Sequence, residues 1–396
     1  FTHAYANSAV CTATRVALIT GRYQYRLPIG LQEPLGIQDV GLPPEHPTIA
    51  SLLKAAGYAT TLVGKWHMGS LPKYGPQQSG YDEFWGLRGG GIDYFAHALT
   101  GGPDLWDGPT KIEQAGYTTD LIADRTMLTL ERRKADGKPF FISLHFTAPH
   151  WPWEANDEEG LAESEHIAKS KDPAAYFHYD GGSMATYAKM MQSLDANIGR
   201  VLAKLSELEM DRDTIVVFTS DNGGERFSET WPFTGKKTEL LEGGLRIPAL
   251  VRWPGVVEAG STSAVPIMSM DWLPTFLAAA GARPDKAFPS DGADITPVLM
   301  GRSLPERTFF WRFGHKHQRA VLRGNTKYLK INDNEFLFDV AADPLERANL
   351  KDRRPADFAA LKAAWEKWDA TMLHDPKAPS AGNTPDHWAD HFGPGS

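Results

Sequence analysis

The chain has 396 residues, 42% of them hydrophobic and 23% charged, and a formal net charge of -8. That balance suits a globular protein with a large core, of one big domain or two unequal ones, and excludes the broad basic surface of a nucleic-acid binder. The single cysteine excludes an internal disulfide, no Asn-x-Ser/Thr sequon occurs, and no apolar run reaches the length of a membrane span. The first two absences favour a bacterial protein, exported to the periplasm or cytoplasmic, over a secreted or lysosomal eukaryotic one.

In chain order, Ser8 to Arg22 comes first. A small-residue turn runs into an apolar helical repeat (Val16, Ile19), which places Cys11 at the first turn of a helix. Backbone N–H groups and the positive dipole end favour an anion there, and Arg15 follows on the same face. Gln24 to Pro47 reads as an irregular loop. Thr48 to Tyr58 reads as a helix, Ala59 to Gly64 as a strand, and Lys65-Trp66-His67 lies at its end. Such an αβ unit belongs to a mostly parallel sheet, where ligands gather at the carboxyl ends of strands.

Met68 to Thr110, rich in Gly, Pro and aromatic residues, reads as a surface excursion that shapes a mouth. Thr119 to Lys134 is helical by spacing. Pro139 to Phe146 is an apolar run expected to be buried on both faces, ending at Thr147-Ala148-Pro149-His150-Trp151-Pro152. Glu154 to Gly182 is charged and small-residue-rich, a candidate mobile insertion. Met184 to Leu208 is a long helix. Thr214 to Ser220 reads as the clearest buried strand, delivering Asp221-Asn222-Gly223-Gly224.

Glu242 to Pro248 leads into a strand from Ala249 to Trp253, followed by helices at 270–281 and 296–300. Beyond Gly301 the pattern changes to short strands at 308–313, 318–322, 326–331 and 335–339, then a helix at 356–372. The expected organisation is a main domain over 1–300, a smaller α+β subdomain of antiparallel strands and a helix over 301–374, and a flexible tail over 375–396.

Taken singly, the polar residues at these ends are ambiguous. Asp221 and Asn222 offer hard oxygen ligands suited to calcium or magnesium, yet Asp-Asn-Gly-Gly is also a plain turn. Lys65 and His67 alternate on one side of a strand end, as a solvated edge does too. His150 is held in a rigid proline-flanked loop, and Lys236 and Lys237 read equally as surface charges. A lone cysteine is ordinarily a small buried hydrophobe.

Taken jointly, they resemble one family. Cys11-Thr12-Ala13-Thr14-Arg15 followed by Thr20-Gly21-Arg22 is similar to the sulfatase signature. Gly-Lys-Trp-His (64–67), Thr-Ala-Pro-His-Trp-Pro (147–152), Ser-Asp-Asn-Gly-Gly (220–224) and Gly-Lys-Lys (235–237) with Glu-Gly-Gly-Leu-Arg-Ile-Pro (242–248) resemble its further motifs in order. The likeness runs to about Leu350 and includes Leu337 to Pro344. It implies an α/β fold of the alkaline-phosphatase type, with a mostly parallel sheet flanked by helices.

The resemblance also implies roles. Cys11 becomes formylglycine through a maturation enzyme, and the hydrated aldehyde attacks sulfur to give a covalent sulfate that collapses without water attack. Arg15 orients and stabilises that hydrate. Asp221, Asn222 and the modified Cys11 bind a divalent cation, calcium or magnesium. Lys65, His67, His150 and Lys237 line the sulfate pocket, with His67 as base for the elimination and His150 or Lys237 protonating the leaving alcohol. Lys237 is preferred to Lys236 because it lies five residues before Glu242. His315 is a candidate substrate contact, as are Trp85, Tyr94, Phe95, Trp106, Trp151 and Trp153, although packing explains these residues equally well.

The expected substrate is an aryl or carbohydrate sulfate. The alternatives are a phosphonate monoester or phosphodiester hydrolase using the same aldehyde, and a non-catalytic binder of sulfated glycans. Relative to the family pattern, the strand that ends in two metal-binding aspartates is expected upstream of Phe1. The chain as given therefore reads as a fragment with half of its cation site missing and impaired activity.

Overall fold

The computed structural model describes residues 1–31, 39–99, 102–170, 172–178 and 181–375. The expected tail lies outside them beyond Asp375. The described residues form two compact units. One draws on residues 1–31, 216–278 and 289–375, the other on the described residues between 39 and 215 and on 279–288.

In the first unit, Cys11–Thr20 is an α-helix that stops at Gly21, whose left-handed backbone returns its N–H to the Ala17 carbonyl. Ala4–Tyr5 pairs in parallel with Ile267–Met268. Val216–Thr219 pairs antiparallel with Ala249–Arg252. A core of Ala4, Ala6, Ile247, Ala249, Ile267, Trp272, Ile295 and Leu299 lies beneath these pairs. The strand at 216–219 is half-buried rather than fully buried, and Phe218 is 41% and Leu250 60% exposed. An apolar run meets the requirement for a strand here without having both faces covered by the described residues.

The same unit contains a four-stranded antiparallel sheet of Thr308–Phe313, Gln318–Arg323, Thr326–Ile331 and Asn334–Asp339. Two-residue turns at Gly324-Asn325 and Asn332-Asp333 set its register, with positive φ at Gly324 and Asn332 as tight hairpins require. The helix Pro355–Asp369 lies against it. Trp368 stacks on Phe310 with ring centroids 5.2 Å apart, and the Trp365 indole donates to the Trp311 carbonyl at 2.9 Å.

The second unit is built on a mixed five-stranded sheet, ordered Thr110–Lys111, Trp106–Asp107, Glu83–Leu87, Ala59–Lys65, Phe140–His145. The three long strands are parallel, and the short hairpin of Trp106–Asp107 and Thr110–Lys111 joins Glu83–Leu87 through an antiparallel pairing of Trp106–Asp107. Ala59–Lys65 is buried throughout, as a central parallel strand must be. Gly64 has φ +111, and a Cβ there would stand 1.9 Å from the His145 carbonyl oxygen, so only glycine fits. Val63, Trp85, Leu105, Leu121 and Ile122 form the core between the sheet and the helix Thr118–Asp136.

Several expectations need correction. The region from Met68 to Thr110 is not only a surface excursion: Glu83–Leu87 is a sheet strand, and Trp85 belongs to the core. The 154–182 region contains the helix Glu158–Lys169, capped by the Asp157 carboxylate on the Gly160 N–H. Phe140–His145 is half-buried apart from Ser143, not buried on both faces.

Candidate active site

The first unit brings together Cys11, Arg15, Asp221, Asn222 and Lys237. Cys11 is the first helical residue and is buried, and the extended Val10 before it gives no side-chain cap. The turn is held by Thr14, whose hydroxyl bridges the Ser8 carbonyl and N–H at 2.9 Å each. Cys11 Sγ faces Asn222 Oδ1 at 3.6 Å. Arg15, one turn on, donates through Nε and Nη2 to Asp221 Oδ2 at 3.0 and 2.8 Å. The helix start and the Asp221-Asn222 turn therefore meet at two neighbouring contacts.

That turn follows the strand Val216–Thr219 and rests on the short helix Glu242–Leu245. Gly223 N–H donates to the Gly244 carbonyl at 3.0 Å, and a Cβ at Gly223 would lie 1.9 Å from the Gly243 oxygen. The helix is fixed by a buried charge cluster. Lys327 Nζ lies 2.9 Å from both Glu242 and Glu346, while Tyr5 donates to Glu242 at 2.9 Å. Burial works against the Lys327 ammonium, but the two carboxylates outweigh it and hold its pKa above the usual lysine value. Burial, opposed by Lys327, raises Glu346 to about 7.

Lys237 is buried, and its Nζ lies 2.5 Å from Glu225 Oε1. Its backbone N–H closes onto the Gly224 carbonyl at 2.8 Å, and the next N–H, of Thr238, reaches the Ala9 carbonyl at 2.9 Å. The Lys237 loop is thus tied to both the Asp221-Asn222 turn and the cysteine turn. His315 sits in the turn His315–His317. Gln318, which donates to the His315 carbonyl, also bonds the backbone of Thr238 and Leu240.

The second unit gathers Lys65, His67 and His150. Lys65 ends the central strand, and its carbonyl meets His145 Nδ1 at 2.9 Å. His67 is buried and has φ +55, a conformation uncommon for a residue with a side chain and frequent at functional positions. Its N–H bonds the Arg88 carbonyl at 3.1 Å. The run Gly89-Gly90-Gly91 joins the two histidines: Gly90 faces the His67 ring and Gly91 the His150 ring. His150 Nδ1 lies 2.7 Å from the Trp151 carbonyl, an oxygen that can only accept, which assigns the proton to Nδ1 and leaves Nε2 basic in the neutral ring.

Sequence reading missed two residues. Glu225, the half-buried partner of Lys237, follows the Gly-Gly pair and was legible only as a loop acid. Arg88 follows the unrecognised strand. It is buried with its guanidinium 3.9 Å from the Trp106 ring centroid, and burial lowers its pKa against the pull of Asp104. Of the candidate aromatic contacts, Trp85, Tyr94, Trp151 and Trp153 are buried packing residues.

Asp221 and Asn222 offer the hard oxygens a calcium or magnesium ion prefers; here Asp221 Oδ2 is bonded by the Arg15 guanidinium and Asn222 Oδ1 faces Cys11 Sγ. No group of three or more His, Cys, Asp or Glu side chains able to hold a metal occurs among the described residues. Nor does any described helix have the length and apolarity to cross a membrane.

The sulfatase family profile matches residues 1–282. N-acetylgalactosamine-6-sulfatase of Sus scrofa is 29% identical, the match covering 80% of this chain and 62% of that protein. Arylsulfatase J of Mus musculus is 30% identical over 95% of this chain and 71% of its own length. The chain spans about 60% of the length of the first of these relatives. The solved structure of Ps i-CgsB in complex with k-i-k-neocarrahexaose superposes with a TM-score of 0.84 at 27% identity, covering 98% of this chain and 87% of that one. With its signature cysteine at a helix start against the Asp-Asn turn, the chain belongs to the sulfatase family.

Proposed function

We propose that this protein hydrolyses a sulfate monoester to an alcohol and inorganic sulfate. The observation that carries the reading is the pair of contacts Cys11–Asn222 and Arg15–Asp221, which sets a helix-start side chain beside hard oxygen ligands and a guanidinium. The likeness to N-acetylgalactosamine-6-sulfatase and arylsulfatase J supports sulfate ester chemistry. The likeness to a structure holding a neocarrahexaose supports a sulfated sugar as the ester.

In this reading Cys11, oxidised to formylglycine by a maturation enzyme, supplies the attacking oxygen of a hydrated aldehyde. A divalent cation held by Asp221 and Asn222, calcium or magnesium, supplies positive charge against the anionic ester when bound. Arg15 orients the group at Cys11. Lys65 and Lys237 neutralise sulfate oxygens, charge of the kind that is usually the largest catalytic contribution when preorganised. His150 exchanges a proton with the leaving alcohol through Nε2. His67, with its backbone fixed by Arg88, takes a proton from the hydrated group. His315 is a substrate contact.

The test is a rate comparison on the full-length gene product co-expressed with a formylglycine-generating enzyme. Nitrophenyl sulfate and sulfated sugars should turn over faster than a nitrophenyl phosphodiester. A phosphodiester or phosphonate preferred over every sulfate refutes the reading.

A further inference from the structure

Trp231 is the most exposed large apolar side chain among the described residues, at 70% of its surface. The other described tryptophans are buried or half-buried. A tryptophan carries roughly 200 Å² of burial potential, most of which this exposure leaves unused. Folding gives no reason for the residue to be there.

Its position does give one. The N–H of Lys237 closes on the Gly224 carbonyl at 2.8 Å, so residues 225–236 form a loop whose base is the candidate site itself. Asp221 and Asn222 enter that base, Lys237 leaves it, and Glu225 pairs with Lys237 across it. Trp231 stands six residues from Lys237, which bounds its reach to about 20 Å of chain.

The loop is also fixed. Phe233 N–H bonds the Thr230 carbonyl at 2.8 Å, and the Thr230 hydroxyl returns to the Phe233 carbonyl at 3.2 Å, clasping the segment around Trp231. Trp231 N–H donates to Glu229 Oε1 at 2.8 Å. The Thr234 hydroxyl anchors the loop on the Leu345 carbonyl at 2.6 Å. The Arg246 guanidinium packs 4.7 Å from the Phe233 ring centroid. These contacts fix the backbone that carries the indole, a flat apolar group with one polar N–H and only two side-chain torsions to order on binding.

We propose that Trp231 is a specificity residue that stacks on a sugar ring neighbouring the sulfated one, so that the substrate is a sulfated oligosaccharide. This rests on the hydrolase reading above. The ligand chemistry follows from the arrangement: an anionic group at the loop base, and beyond it an unit with an apolar face and hydroxyls. A sugar ring has both, with its axial C–H face against the indole. Nitrophenyl sulfate has a single ring and no neighbouring sugar to offer the indole.

The experiment compares wild type, Trp231→Ala and Trp231→Phe in the full-length, formylglycine-bearing protein. The substrates are nitrophenyl sulfate and a panel of sulfated hexasaccharides from carrageenan, chondroitin, heparan and fucan. For a hexasaccharide the wild type cleaves, Trp231→Ala should lower kcat/KM about tenfold more than for nitrophenyl sulfate, chiefly through KM, the size of one aromatic stacking contact. Trp231→Phe should recover part of the loss. Equal effects on both substrate types, or turnover of nitrophenyl sulfate with no panel member cleaved, overturn the inference and leave the hydrolase reading standing. Inactivity toward every sulfate overturns both.

Discussion

Replacing Lys327 by methionine tests the charge cluster beneath the Asp221-Asn222 turn. The ammonium is almost wholly buried and lies 2.9 Å from each of two carboxylates, Glu242 and Glu346. At that distance and an effective dielectric of 20 each attraction is roughly 6 kcal/mol before desolvation. Removing the lysine leaves two buried carboxylates facing each other, and breaking a buried pair in this way costs about 3–5 kcal/mol. The melting temperature at pH 8 should fall by on the order of 10 °C.

The loss should shrink at lower pH. Glu346 is already raised to about 7, and without Lys327 it rises further, so protonation relieves the repulsion. Calorimetry at pH 8 and pH 6 reads both effects. The exposed pair Lys169–Glu165 is the control, since Lys169→Met should change stability by less than about 0.5 kcal/mol. A Lys327→Met melting temperature within 2 °C of wild type at pH 8, on the scale set by ~1 kcal/mol, refutes the reasoning.

Further outcomes follow from other positions. Glu154 is buried, accepts the Tyr94 N–H at 2.7 Å, and is raised well above the usual carboxylate range by burial and then by the charge of Asp93. The folded state keeps a proton that the unfolded chain has lost, so this contribution is full below the ordinary glutamate value and is lost as pH rises through the raised one. Melting temperature against pH should therefore decline less steeply for Glu154→Gln than for wild type, and parallel curves reject the assignment. Gly64→Ala drives a Cβ to within 1.9 Å of the His145 carbonyl oxygen, and denaturant titration should show a loss of at least about 3 kcal/mol; a smaller loss means the three parallel strands can move apart. Arg15→Lys keeps the charge but not the two-nitrogen grip on Asp221, so kcat should fall at least about tenfold with little change in folding. Unchanged kcat shows that the paired geometry is dispensable.

What could be read in advance followed from local chemistry. Cys11 at a helix start was legible from small residues before it and an apolar repeat after it, and the C-terminal hairpins from Gly324-Asn325 and Asn332-Asp333. The Cys11, Arg15, Asp221, Asn222 and Lys237 motifs also lie within one unit, joined by the contacts described. Glu83–Leu87 was not legible because it is short, begins with an acid and carries Gly86, and only pairing with Ala59–Lys65 makes it a strand. The helix Glu158–Lys169 was hidden by its charge, since just Gly160, Ser164 and Ile167 are buried along it. Exposure at Phe218 and Leu250 was illegible for another reason: an apolar run signals a strand, but what covers its faces is decided by distant residues. The Glu225–Lys237 and Lys327–Glu242 pairs likewise join residues that spacing alone does not connect.

The most direct test of the central claim is inorganic sulfate released from a sulfate ester by matched preparations of wild type and Cys11→Ala, each co-expressed with the maturation enzyme. Wild type should release sulfate catalytically, with the Cys11 peptide about 18 Da lighter than the unmodified form. Cys11→Ala should lose at least about 1,000-fold in rate. Equal release by the two proteins, or no release by wild type whose Cys11 has been converted, would contradict the account.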